Sequence, residues 1–193
     1  MEEYKKLEQA VYFLKNQGIK SPEIGIVLGT GLGKLTDLIE IEKTIDYREI
    51  PNFPLSTVEF HSGKLIYGTL GDKKVLAMQG RFHMYEGYSA SEVVFPIRVL
   101  KMLGVKFMVL TNAAGGINLS YEKGQLILID DHINLLPDNP LIGRNIDKLG
   151  VRFPDMSAPY SNSGNELLMA VAEAFDYNLQ NGVYAAVIGP NLE

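Results

Sequence analysis

The sequence predicts an α/β fold with a mixed, mostly parallel central sheet flanked by helices. Three observations predict it. Short apolar runs without polar alternation, at 24–28, 105–110 and 183–188, read as buried strands of the parallel kind. Each run ends in small residues, at Gly29–Gly33, Thr111–Gly116 and Gly189-Pro190. Stretches of helical period separate the strand-like runs, as layered α/β architectures require.

Tyr4, Leu7, Val11 and Leu14 fall at helical spacing, so an amphipathic helix is expected up to about Asn16. Gly18 stops it and Ser21-Pro22 marks a loop. Ile24–Leu28 is the first buried strand and feeds Gly29-Thr30-Gly31-Leu32-Gly33. Residues 51–63, with Pro51, Pro54, His61 and Gly63, carry no period and form a loop. Leu65–Leu70 and Lys73–Met78, joined through Gly71-Asp72, read as a β-hairpin. Ser89 and Glu92 have capping-box spacing, opening a helix that runs to Leu103 with Gly104 after it. Pro96 sits past the first turn and bends that helix.

Val105–Leu110 is the second buried strand, and Leu126–Ile129 is a third that ends before Asp130-Asp131-His132. Residues 137–162, rich in Pro, Asn and Gly, have no period. Irregular segments of that length serve as binding loops or interfaces. Asn165–Phe175 is helical, and Val183–Ile188 is a further buried strand. No repeat and no boundary is visible, so residues 1–193 are expected to form one domain.

The composition narrows the function classes. With 46% hydrophobic and 21% charged residues the chain is that of a soluble globular protein. Its apolar runs are too short for a membrane helix, and Met1-Glu2-Glu3 is no signal peptide. The absence of cysteine removes disulfides, thiolate catalysis and thiolate metal sites, and makes the cytoplasm the default compartment. A formal net charge of −5 argues against a nucleic-acid surface. An anionic substrate therefore needs a local positive pocket.

Gln79-Gly80-Arg81-Phe82-His83-Met84-Tyr85-Glu86-Gly87-Tyr88 offers one. Arg81 and His83 are two apart and leave an extended backbone on the same face. A guanidinium fork and an imidazole suit a phosphate or carboxylate. Tyr85 and Tyr88 present flat faces with a hydroxyl, suited to a sugar or a base. Gly29–Gly33 is neither a Walker A loop nor G-x-G-x-x-G, but its backbone N–H groups and the Thr30 hydroxyl could turn to an anion, or simply make a tight turn. The Asn112-Ala113-Ala114-Gly115-Gly116 segment either admits a flat ligand to the backbone or packs two elements closely. His132 has no second histidine at metal-ligand spacing and reads as a satisfied structural residue, so no metal site is expected. His61 lies in the Pro-marked loop, where a lid is plausible.

These segments, in this order, resemble the trimeric purine nucleoside phosphorylases. The matching pieces are Gly29–Gly33, Ile50–Pro54 through His61, Gln79–Tyr88, Thr111–Gly116, Asp131-His132-Ile133-Asn134, Arg152–Ser157 and Gly189–Glu193. The resemblance spans nearly all of the chain from Ile24 onward. It implies that a purine nucleoside such as inosine or guanosine reacts with inorganic phosphate, the co-substrate. The products are the free base and (deoxy)ribose 1-phosphate, with no metal or organic cofactor.

By that resemblance the phosphate site carries over to Thr30, His61, Arg81, Phe82, His83 and Ala113, although most members have serine where Thr30 stands. Tyr85 matches a ribose-facing tyrosine, and Phe153 an aromatic that reaches the neighbouring subunit's site in a homotrimer. Ala113, Ala114 and Glu193 match the purine site, with His83 and Glu193 as the catalytic pair. Family members continue past Glu193 with further strands and helices, so the resemblance implies an incomplete phosphorylase domain lacking those elements. Two alternatives stay open. One is an inactive truncated form that binds phosphate or nucleoside, and the other is a methylthioadenosine phosphorylase, the branch that Thr30 fits.

Overall fold

The computed structural model describes residues 2–29, 31–55 and 63–190. By its internal contacts the chain divides into two compact units, Met1–Ala113 and Ala114–Glu193, each described by itself.

The first unit opens with helix α1 (Glu2–Asn16), whose apolar positions Leu7, Ala10, Val11 and Leu14 are all buried. Its five-stranded sheet is built from β1 (Ile24–Leu28), β2 (Glu40–Asp46), β3 (Lys64–Leu70), β4 (Lys73–Gln79) and β5 (Phe107–Leu110). The spatial order is β2-β3-β4-β1-β5. β2–β3 and β3–β4 pair antiparallel, whereas β1 pairs parallel with β4 on one side and with β5 on the other. The expected hairpin and the expected parallel strand are therefore both present, in one mixed sheet.

Helix α2 (Ala90–Leu103) carries the chain from β4 across to β5, leaving β1 between them. Ser89 caps it as expected: its hydroxyl accepts from the Glu92 N–H, and the Glu92 carboxylate accepts from the Ser89 N–H at 2.9 Å. Gly104 ends it at φ +103°, a left-handed conformation that favours glycine. The sheet's own apolar alternation makes the core. Ile26, Leu28, Val75, Ala77, Ile66 and Ile39 form one buried cluster. On the other face Gly25 lies so close to Leu100 of α2 and Met108 of β5 that a Cβ would approach them within 2.9 and 2.3 Å.

Three expectations need correction. β2 was not expected; five of its seven residues are exposed, so it has no apolar run to betray it. β5 is not buried: with one neighbouring strand among the described residues it leaves Phe107 and Leu110 58% and 62% exposed. The third concerns the second unit, where β6 (Ile127–Asn134) and β7 (Gln180–Ala186) pair parallel across helix α3 (Asn162–Ala174). β6 runs on through Asp131-His132 instead of ending before them. β7 alternates half-buried and exposed positions, and no residue of α3 is buried, because two strands and one helix enclose little of their own surface. Residues 137–160 are irregular, as their composition implies.

Candidate functional site

β4, β1 and β5 run parallel, so their C-terminal ends fall side by side at one edge of the sheet, the place where open α/β sheets gather ligands. Residues 79–83, 29–33 and 111–113 leave from those three ends.

Beyond β4 the chain bends at Gly80 and runs through Arg81, Phe82 and His83 without regular structure. Arg81 and His83 meet on one side, where Arg81 Nε donates to His83 Nε2 at 3.0 Å. Arg81 Nη1 also donates to the Thr111 carbonyl at 2.6 Å, which ties the end of β4 to the end of β5. Phe82 points the other way, is 4% exposed and packs on Tyr47 and Tyr88 at ring separations of 5.4 and 6.0 Å. Its contribution to an anion on the Arg81 side would come from its backbone. Below it the Tyr47 hydroxyl donates to the Gly80 carbonyl at 2.8 Å, at a glycine whose φ of +110° few other residues adopt. Burial pushes the Tyr47 hydroxyl far above its ordinary pKa, so it stays a donor.

A further residue gains a role that the sequence left unassigned. Glu86, its side chain 2% exposed, accepts from the His83 backbone N–H at 2.9 Å and pairs with His83 Nδ1 at 2.7 Å. Because a guanidinium can only donate, His83 Nε2 is the acceptor and Nδ1 carries the proton given to Glu86. The imidazole is thus fixed in tautomer and in orientation. Capping-box spacing of His83 and Glu86 around the short turn at Met84–Glu86 is the signal that could have revealed it. Tyr85, 43% exposed, stacks on the His83 ring at 4.6 Å. Tyr88 does not offer its hydroxyl to a ligand: it accepts from Leu55 N–H at 3.2 Å and donates to the Leu55 carbonyl, fixing the Leu55 backbone.

At the end of β1, the Gly29 N–H does not turn to an anion site. It donates to Thr111 Oγ1 at 2.8 Å. Ala113 is exposed, two residues beyond the Thr111 that holds Arg81. Thr30, His61 and Glu193 lie outside the described residues.

In the second unit, Ala114 is exposed and Phe153 is 85% exposed. Phe153 lines a cavity of about 330 Å³ with Leu141, Ile142, Arg152, Pro154 and Met156, and the Arg152 guanidinium lies 5.7 Å from its ring. His132 sits edge-on to Tyr160 at 5.8 Å, but its Nδ1 has no hydrogen-bond partner among the described residues, so it is not the satisfied histidine expected. Among the described residues, no three His, Cys, Asp or Glu side chains gather as metal ligands would.

Residues 23–193 match the family model described as the phosphorylase superfamily. Purine nucleoside phosphorylase 1 of Geobacillus stearothermophilus is 54% identical over 187 residues, covering 97% of this chain and 68% of that protein. The mouse (Mus musculus) purine nucleoside phosphorylase is 44% identical over 195 residues, covering 98% of this chain and 68% of its own length. A crystal structure of isoform 2 of the Schistosoma mansoni enzyme, in complex with cytosine and ribose-1-phosphate, superposes with a TM-score of 0.92 at 45% identity. It covers 98% of this chain and 68% of that one.

Proposed function

The chain belongs to the phosphorylase superfamily, on its purine nucleoside phosphorylase branch, and from that premise we propose that it cleaves purine (deoxy)ribonucleosides such as inosine and guanosine with inorganic phosphate. It is a pentosyltransferase: the free base and (deoxy)ribose 1-phosphate are its products. The observation that carries the reading is the pairing of Arg81 with His83 at the C-terminal edge of three parallel strands.

The C1′–N9 bond breaks with its electron pair moving onto the purine, which leaves positive charge on the ribose. Phosphate, held by Arg81 and His83 and by the Ala113 backbone N–H, stabilises that charge and then forms the new C1′–O bond. Fixed donors and charges of this kind are the usual large contribution to catalysis, and holding the nucleophile in line adds to it. Glu86 keeps the His83 ring aimed. Tyr85, exposed on the outer face of His83, is the ribose-facing residue of this reading. Thr30 and His61 complete the phosphate site, and Ala113, Ala114 and Glu193 take the purine. The reaction needs no metal and no organic cofactor in this reading.

A homotrimer working in the cytoplasm belongs to the same proposal. Phe153 motivates the trimer, as a large apolar ring standing 85% exposed in an irregular loop. The test is product analysis after incubation with inosine and phosphate. Hypoxanthine and ribose 1-phosphate in equal amounts, with none formed when phosphate is withheld, is the expected result. Free ribose in place of ribose 1-phosphate would make the protein a hydrolase and sink the proposal.

A further inference from the structure

Three chain segments meet at one residue that the reaction itself leaves without a part, Thr111. It stands one residue beyond the end of β5. Its N–H and its hydroxyl both donate to the Val27 carbonyl of β1, at 3.1 and 3.0 Å. The same hydroxyl oxygen accepts from the buried Gly29 N–H at 2.8 Å, so it closes the turn that leaves β1. Its carbonyl accepts from Arg81 Nη1 at 2.6 Å. One residue thus joins the glycine turn, the guanidinium that follows β4, and the end of β5. The packing is close: a Cβ on Gly29 would stand 2.9 Å from the Thr111 carbonyl oxygen.

We propose that Thr111 is the positioning residue of the phosphate site, its hydroxyl holding the Gly29 turn and its carbonyl holding the Arg81 guanidinium in one fixed arrangement. The inference rests on the reading of Arg81 and His83 as phosphate ligands. Its physical basis is that a long arginine has many rotamers and binds an anion well only when one of them is selected beforehand. The Thr111 carbonyl selects it, and the hydroxyl selects the orientation of that carbonyl by locking the peptide to Val27 and Gly29. Valine is nearly isosteric with threonine but has no hydroxyl. It would leave the buried Gly29 N–H unpaired and release the turn. Serine keeps the hydroxyl and both of its bonds.

The test is calorimetric titration of the whole chain with inorganic phosphate. Wild type, Thr111→Val, Thr111→Ser, Gly29→Ala and Arg81→Ala are compared, with a thermal melt of each. Phosphate binding about tenfold weaker in Thr111→Val, with Thr111→Ser restored to within about twofold of wild type, is the expected pattern. Gly29→Ala keeps the hydroxyl but pushes on the Thr111 carbonyl, so it should weaken phosphate too. It therefore decides the matter if Thr111→Val does not fold. Steady-state kinetics add a split that lost stability alone would not produce: the KM for phosphate rises while the KM for the nucleoside holds. Wild-type phosphate affinity in both Thr111→Val and Gly29→Ala, with Arg81→Ala defective, overturns the role of Thr111 and leaves the phosphate reading standing. Unchanged affinity in Arg81→Ala removes the phosphate reading, and this inference with it.

Discussion

Replacing Glu86 by glutamine tests how much of the phosphate site depends on a carboxylate that the ligand never touches. His83 gives its Nδ1 proton to Glu86 and accepts from Arg81 at Nε2. A phosphate oxygen can accept from the His83 ring on that side only if Nε2 carries a proton as well. The imidazolium so formed lies against the Glu86 carboxylate, whose oxygen is 2.7 Å from Nδ1. Two unit charges about 4 Å apart attract by about 4 kcal/mol at the effective dielectric of a protein surface. His83 is 18% exposed, which lowers the figure towards the 1.5–3 kcal/mol typical of a hydrogen bond to a charged group. Glutamine keeps an acceptor oxygen but not the charge. Glu86→Gln should therefore bind phosphate about 10- to 150-fold more weakly. Phosphate calorimetry measures it. Wild-type affinity in Glu86→Gln would refute the role given to the Glu86 carboxylate in holding His83 for phosphate.

Other outcomes follow from the same contacts. Tyr47→Phe leaves the Gly80 carbonyl without its buried donor and should cost about 1–3 kcal/mol in denaturant unfolding. Burial raises the Tyr47 hydroxyl above its ordinary 10.0, so the stability it contributes is complete below that pH and is lost as pH climbs past it. Tyr47→Phe should accordingly flatten the alkaline fall of the melting temperature, and an unchanged alkaline limb would contradict the burial argument. Ser89→Ala removes the cap of α2 and should lower stability by about 1 kcal/mol without touching phosphate affinity. Sedimentation at micromolar concentration should give a trimer, and a monomer would deprive Phe153 of the role proposed for it.

Much of this is legible in the amino-acid sequence itself. Ile24–Leu28 and the Leu65–Met78 hairpin carry apolar runs bounded by glycine and proline, and they fold within a residue or two of their expected ends. Ser89 and Glu92 announce α2 because a cap is a local interaction. The same-face rule for residues two apart was enough to bring Arg81 to His83.

What stayed hidden is non-local. β2 reads Glu40-Ile41-Glu42-Lys43-Thr44, a polar edge strand whose pairing to β3 no window of sequence contains. Thr111 and Gly29 are 82 residues apart, so the bond that joins their two turns has no signature in either. Tyr88 has the chemistry of a ligand-facing residue, but the fold uses it on the Leu55 backbone. Val183–Ile188 has the composition of a buried strand, yet β7 begins earlier, at Gln180, ends at Ala186 and alternates half-buried and exposed positions.

The most direct test of the central claim is the phosphate dependence of inosine cleavage in wild type and in Arg81→Ala. The account predicts no hypoxanthine without phosphate. In the variant it predicts a KM for phosphate raised by about 10- to 150-fold, the equivalent of a lost 1.5–3 kcal/mol charged hydrogen bond, with the KM for inosine little changed. Cleavage that proceeds without phosphate, or a variant whose phosphate KM matches wild type, would contradict it.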